Sequence, residues 1–315
     1  MLELFKAEKT LRFMKLSKPA MWLSLLLVCA SLVTLSINKL NWGLDFTGGT
    51  VIEVAFEKAA QLPKVRDVLE KAHYSGAIVQ YFGSSRAVMV RVPPIKGLKG
   101  EVLGAQIVKT LQAANIGKLS MRRVEFVGPN VGAELATDGG LAIIIALACI
   151  MLYVSVRFEW RLALGAVVAL AHDVIITLGV FSFFHLEFDL TVLAAVLALV
   201  GYSLNDTIVV FDRIRENFRR MATSSTEDIV DVSLTQTLTR TTITSGLTSF
   251  VLVALFVVGG PVIHGFSTAL LIGIFVGTYS SIYVASALAV RFGLSRQDMI
   301  VKVVEKEGAD QQSLM

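Results

Sequence analysis

The chain has 315 residues, 54% of them hydrophobic and 17% charged, with a formal charge of +4. A mean hydropathy of +0.68 is beyond what soluble chains of this size carry, which makes the class an integral membrane protein, with lipid and not nucleic acid as its surroundings. Six apolar runs, at 20–37, 139–156, 162–184, 190–211, 242–258 and 266–290, are each long enough to cross ~30 Å of hydrocarbon as a helix.

In chain order, residues 1–19 read as an amphipathic cytoplasmic segment. Leu2, Phe5, Leu11 and Phe13 are apolar, and Lys6, Lys9, Arg12, Lys15 and Lys18 suit lipid headgroups. The first run, 20–37, is longer than the ~7–15 apolar residues of a signal peptide, and no small-x-small cleavage site follows it. It reads as an uncleaved anchor. Cys29 and Cys149, the only cysteines, both lie in apolar runs and read as small buried hydrophobes.

Residues 38–138 read as one outer domain. GTVIEVAF at 49–56 alternates like a strand, and 62–74 is a helix with Val65, Val68, Leu69 and Ala72 on one face. Strands at 77–83 and 87–93 meet at a Ser84–Ser85 turn. A second helix at 101–114 and a strand at 120–128 complete a βαββαβ order, the ferredoxin-like pattern. His73 is its only histidine, so a metal site is not expected. The expected fold is thus an all-α six-helix membrane bundle with a small α+β domain between the first and second spans.

Residues 139–290 supply the other five spans, with a cytoplasmic loop at 212–240, and 291–315 form a tail. Lys and Arg concentrate at the start, in RFEWR, after the fourth span and in the tail. The loops at 185–189 and 259–265 carry none. Both termini are therefore expected in the cytoplasm, with 38–138 in the periplasm.

The candidate functional residues are polar groups where hydrocarbon is expected. Asp206 lies inside the fourth run, and an ionisable group at such depth costs at least ~2.5 kcal/mol. On a helix it shares a face with Tyr202 and Ser203. A carboxylate balanced between burial and a nearby cation can load and release a proton. Asn205 beside it reads as a hydrogen-bonding strut between helices. Arg240, among the threonines of TLTRTTITSG, is either the basic partner of Asp206 or a side chain snorkelling to the interface. Asp173 sits near the middle of the third run and belongs either to the same pathway or to a structural hydrogen bond. His172 precedes it, about 100° round the helix, which argues against a tight His–Asp pair. Gly273 and Gly277 form a GxxxG that allows close packing, within the chain or against another subunit. Gly48 and Gly49 leave the backbone free to turn just outside the membrane. Ser225 and Asp228 resemble a capping box. Phosphate loop, dinucleotide fingerprint and nucleophile elbow are absent, so neither an enzyme nor an ATP-driven pump is expected.

GLDFTGGT at 43–50, VGPNVGAEL at 127–135, AHD at 171–173, SLNDTIVVFDRIREN at 203–217 and TLTRTTITS at 237–245 occur in order along nearly the whole chain. Together they resemble the SecF family of bacterial protein-translocase subunits, in the resistance–nodulation–division superfamily. The resemblance implies a SecD partner, SecYEG as the assisted channel, SecA indirectly, YajC as an accessory and a translocating preprotein as substrate. It implies an inner-membrane site and a proton gradient as energy source, with sodium an alternative coupling ion and no cofactor. It places Asp206 on the proton path, Arg240 as its basic partner, and Asp173 beside them less firmly. Asp212 would anchor a helix end beside Arg213 or Arg215. Three rivals stand. A small-molecule exporter of the superfamily would carry two such halves. An intramembrane aspartyl protease would use Asp173 and Asp206, but Arg240 opposes a shared proton. A scaffold would stabilise the translocon without moving protons.

Overall fold

The computed structural model describes residues 10–74, 76–95, 100–221 and 223–295. The amphipathic start expected at residues 2–16 falls mostly outside them, as does the tail beyond 295. A short turn at Met14–Leu16 leads into helix α1 (Ser17–Ile37). This helix starts earlier than the apolar run because Pro19 lies in its first turn, where no backbone N–H is needed.

After α1 come β1 (Asn41–Trp42), α2 (Leu44–Thr47), β2 (Gly49–Phe56), α3 (Leu62–Lys71), β3 (Ile78–Phe82), β4 (Ser84–Val92), α4 (Gly100–Ala113) and β5 (Leu119–Val127). Four strands form an antiparallel sheet in the order β3-β4-β2-β5. Ile52 and Val54 on β2 stand opposite Val90 and Val88 on β4. They pack with Val65 and Leu69 of α3 and with Leu103, Ile107 and Leu111 of α4, all buried. The turn between β3 and β4 falls at Gly83, not at Ser84–Ser85. Its φ of 71° is one that glycine adopts without strain, and both serines already belong to β4.

The sheet domain ends earlier than expected. Helix α5 (Pro129–Arg157) runs unbroken from the end of β5, so 129–138 belong to the second span's helix. Proline at its first position sets the start. The rest of the chain is α6 (Trp160–Phe183), β6 (Glu187–Phe188), α7 (Leu190–Arg220), α8 (Thr226–Val258), α9 (Pro261–Ser280), a π-helical turn at Ser281–Ala285 and α10 (Ser286–Arg291). Among the described residues, six helices are long and apolar enough to cross a membrane.

The stretch 212–240, expected as a loop, is helical over 212–220 and 226–240. Buried Ile214, Phe218, Ile229, Val230 and Leu234 give it an apolar face. Glu216 pairs with Arg213 and Arg220 along α7, and the Ser225 hydroxyl accepts the Asp228 N–H at 3.2 Å to cap α8. Asp212 is held by Arg157 of α5 at 2.8 Å, with Arg215 farther away at 3.6 Å.

Helices α6, α7 and α9 form the interior of the bundle. By contrast α1, α5 and α8 present Trp22, Ile144, Leu152, Phe250 and Val257 outward. Cys29 and Cys149 are likewise exposed, contrary to expectation, because in lipid an apolar side chain gains little by turning inward.

The two parts of the molecule meet at a compact junction. Strand β1 pairs in parallel with β6, Asn41 opposite Glu187 and Trp42 opposite Phe188. Trp42, Phe46 and Phe188 stack edge and face. Asp45 accepts the Leu190 N–H at 3.0 Å and Asp189 accepts that of Val192 at 2.8 Å, so two carboxylates hold the start of α7. Arg91 of β4 is ion-paired to Glu187 and donates to the Trp42 carbonyl at 3.0 Å. Burial holds the Glu187 carboxyl above its ordinary range; Arg91 pulls the other way, and Asp189 and Asp45 add to the rise. Gly48 and Gly49, with φ of 68° and 124°, make the bend into β2, and a Cβ on Gly49 would lie 2.6 Å from the Val92 carbonyl oxygen.

Candidate functional site: carboxylates inside the bundle

Asp173 is 1% exposed, at the centre of α6. Its Oδ2 accepts the Ser203 hydroxyl of α7 at 2.5 Å and the Ser280 hydroxyl of α9 at 2.8 Å. Its Oδ1 lies 2.9 Å from Nδ1 of His172. The sequence argument against a His–Asp pair is thereby overturned. The two side chains leave the helix in different directions, but Nδ1 is the ring nitrogen nearest the backbone and reaches sideways to the carboxylate. Tyr279 of α9 stacks on the imidazole, with ring centroids 6.4 Å apart.

Asp206, 4% exposed, lies one turn along α7 from Ser203. Its Oδ2 accepts the Ser245 hydroxyl of α8 at 3.4 Å, and Ser245 meets Thr278 of α9 at 2.9 Å. Each carboxylate thus takes its own hydroxyls, Asp173 from Ser203 of α7 and Ser280 of α9, and Asp206 from Ser245 of α8. The Asp206 face expected from the sequence is the buried face, and Tyr202 shares it with a buried hydroxyl that has no partner.

Arg240 is less closely engaged than expected. Its side chain is exposed on α8 and forms no ion pair with Asp206 within 4 Å, although it acts on that carboxylate electrostatically. Asn205 is exposed and forms no strut within the chain, because it lies about 100° round the helix from the packed face of Asp206. Gly273 and Gly277 pack inside the chain. A Cβ on Gly273 would lie 2.4 Å from Leu199 of α7, and one on Gly277 would lie 3.1 Å from the Ser203 hydroxyl. Those glycines let α9 come close enough for Ser280 to reach Asp173.

Two further polar anchors escaped the sequence reading. Asn217 of α7 donates to Ser233 at 2.9 Å and to Gln236 at 3.0 Å on α8. Asp231 of α8 accepts the Met14 N–H at 2.8 Å, tying the entry to α1 onto α8. Both lie where the helices continue past the apolar runs, so nothing in the hydropathy marked them. Among the described residues no three His, Cys, Asp or Glu side chains gather as a metal site.

The family model for the SecD/SecF C-terminal region of protein-export membrane proteins matches residues 106–295, and the SecD/SecF GG-motif model matches 33–60. This chain belongs to the SecD/SecF family. A relative from Vibrio alginolyticus named protein translocase subunit SecF is 60% identical, with 98% of each chain covered. One of the same name from Escherichia coli O157:H7 is 52% identical, covering 99% of this chain and 97% of the relative. The crystal structure of SecDF, a translocon-associated membrane protein from Thermus thermophilus, superposes with a TM-score of 0.82 at 35% identity over 91% of this chain. This chain spans 39% of that SecDF chain. SecDF in a super-membrane-facing form gives a TM-score of 0.68 at 36% identity, over 90% of this chain and 39% of the other. The GG-motif match covers the junction loop with Gly48 and Gly49, and the C-terminal match covers both buried carboxylates.

Proposed function

We propose that this chain is a Sec protein-translocase subunit that works with a SecD partner and couples proton movement to late steps of preprotein export through SecYEG. The observation that carries this is the pair of carboxylates, Asp173 and Asp206, both buried in the bundle and each hydrogen-bonded by hydroxyls from neighbouring helices. Ionisable groups at that depth are costly and mark proton or ion paths. SecA and YajC belong to the same proposal as indirect and accessory partners, and protons, with sodium as the alternative, as the coupling ion. The basic ends of the spans support an inner-membrane topology with both termini in the cytoplasm. The order β3-β4-β2-β5 supports reading the sheet domain as ferredoxin-like, and the charge bias of the spans supports a periplasmic position for it.

The coupling works through α7. A proton on Asp206 weakens its hold on the Ser245 hydroxyl and its attraction to Arg240 across the α7–α8 contact. Loss of the proton restores both. The start of α7 is tied through Asp45 and the β1–β6 pairing to the loop that opens β2, so a shift of α7 moves the sheet domain with it. A proton crossing about 100 mV supplies about 2.3 kcal/mol, several times the thermal energy.

The test is export of a secretory protein into inverted membrane vesicles, with and without a proton gradient. It compares wild type with Asp206→Asn at matched levels of this chain and SecD. The reading expects the gradient-dependent increment to disappear in the variant while the complex stays assembled. An increment equal to wild type would make the chain a scaffold.

A further inference from the structure

His172 is 5% exposed, and its Nε2 has no hydrogen-bond partner. A buried polar atom left unpaired is costly, so its retention at the centre of a span needs a reason. Its neighbour Asp173 is buried more deeply still, and no Lys or Arg pairs with it within 4 Å. The one titratable nitrogen in contact with that carboxylate is Nδ1 of His172. We propose that His172 and Asp173 form a proton-holding dyad, a second station beside Asp206, in which one proton passes between Nδ1 and Oδ1. The proposal rests on the proton-coupled reading above.

The balance is simple. With one proton the pair is neutral overall, either as carboxylic acid and imidazole or as carboxylate and imidazolium. Shifting the proton from Oδ1 to Nδ1 breaks one O–H bond and makes one N–H bond, and needs no other reactant. Loss of the Nε2 proton from the imidazolium form leaves a carboxylate beside a neutral ring whose Nδ1–H still donates.

The surroundings accommodate both forms. The carboxylate has three donors, from Ser203, Ser280 and His172. When the proton sits on Oδ1, Nδ1 accepts it in place of donating, while Oδ2 keeps the Ser203 and Ser280 hydroxyls. The Ser280 hydroxyl also lies 3.1 Å from the Gly277 carbonyl oxygen. Ser280 is the last residue of α9 before the π-helical turn at Ser281–Ala285, where Ser286 bonds back to the Ser281 carbonyl at 3.0 Å. Such turns replace regular helical bonds and often accompany functional sites. On the other side, Tyr279 stacks on His172, donates to the Ala20 carbonyl at 2.6 Å and accepts from Ser24 at 3.2 Å, linking the dyad to α1. The nearest titratable groups on the neighbouring elements are Tyr279 on α9, Tyr283 in the π-helical turn, and Tyr202 and Asp206 on α7. Of these, Tyr279 alone touches the dyad.

Infrared difference spectroscopy of the chain assembled with its SecD partner in lipid vesicles tests the dyad directly. The pH is stepped between roughly 5 and 8, where imidazole–carboxylate pairs change protonation. Wild type is compared with Asp173→Asn, His172→Asn and Asp206→Asn. Asparagine at 172 keeps a donor near Nδ1 but cannot hold the proton. The expected result is a carboxyl band that vanishes in Asp173→Asn, persists in Asp206→Asn, and titrates with a midpoint displaced by about one pH unit or more in His172→Asn. A midpoint unchanged in His172→Asn, or no Asp173 band at all, overturns the proposal. Should His172→Asn fail to assemble, the imidazole bands of the wild type decide: they must titrate together with the Asp173 band, and independent titration overturns the dyad. If the bands behave as expected while Asp206→Asn retains gradient-driven export, the functional reading falls and the dyad stands.

Discussion

The molecule has two interiors built on opposite rules. In the sheet domain the buried side chains are aliphatic, with Ile52, Val54, Val90, Leu103 and Ile107 meeting across sheet and helices. In the bundle the buried side chains include Asp173, Ser203, Asp206, Ser245 and Ser280, with Gly273 and Gly277 letting α9 close on α7. Water explains the contrast. Outside the membrane an apolar core gains free energy by leaving water, whereas between spans that gain is absent, and close approach and polar bonds do the holding. The first interior supports a shape. The second can change its bonding when one proton arrives or leaves.

If that contrast is right, the largest stability loss comes from opening the aliphatic core. Leu103→Ala should destabilise the sheet domain by about 2–5 kcal/mol, seen as lost hydrogen-exchange protection across β2 and β4, with α6 and α7 unaffected. Spread of the loss into α6 would mean that the two interiors are one. Next in size is the close approach in the bundle. Gly273→Leu places a side chain where Leu199 already sits and should cost about 1–3 kcal/mol, read as a lower melting temperature of the detergent-solubilised chain. Ser280→Ala removes one of three donors to Asp173. It should alter the gradient-driven part of export while leaving the melting temperature within a few degrees, which separates bonding that serves function from bonding that serves packing.

A smaller effect is expected at the junction. Because burial raises the Glu187 carboxyl above its ordinary 4.5, the folded junction binds a proton more readily than the unfolded chain. The stability it contributes is therefore greatest at low pH and falls as pH rises above that value, until the folded carboxyl too is ionised. Glu187→Gln should flatten this slope in a pH series of thermal melts; an unchanged slope would assign it to another group. Smallest of all, Asn205→Ala should leave the isolated chain's melting temperature as it is, since among the described residues nothing bonds to that exposed side chain.

The sheet domain was legible because alternation and amphipathic spacing follow from burial against water. GTVIEVAF matches β2 residue for residue, whereas α3 ends at Lys71, short of 74, β4 opens at Ser84 after a turn at Gly83, α5 starts at Pro129, and the short β1 and α2 went unforeseen. In the bundle, span number and the buried face of Asp206 were legible because a lone carboxylate stands out against apolar neighbours. Partner choice was not. Whether His172 reaches Asp173 depends on side-chain rotation and on a tyrosine more than a hundred residues away. Whether Asp206 meets Arg240 or Ser245 depends on the rotation of α8 about its axis. Helix spacing alone fixes neither, which is also why the exposed position of Asn205 was missed.

The central claim is that the bundle's buried carboxylates carry protons across the membrane. It is tested most directly by proton flux in proteoliposomes holding this chain with its SecD partner, followed with an internal pH-sensitive dye under an imposed gradient. The account predicts a flux in wild type that falls to the level of empty liposomes in Asp206→Asn. Equal flux in the two proteins would contradict it.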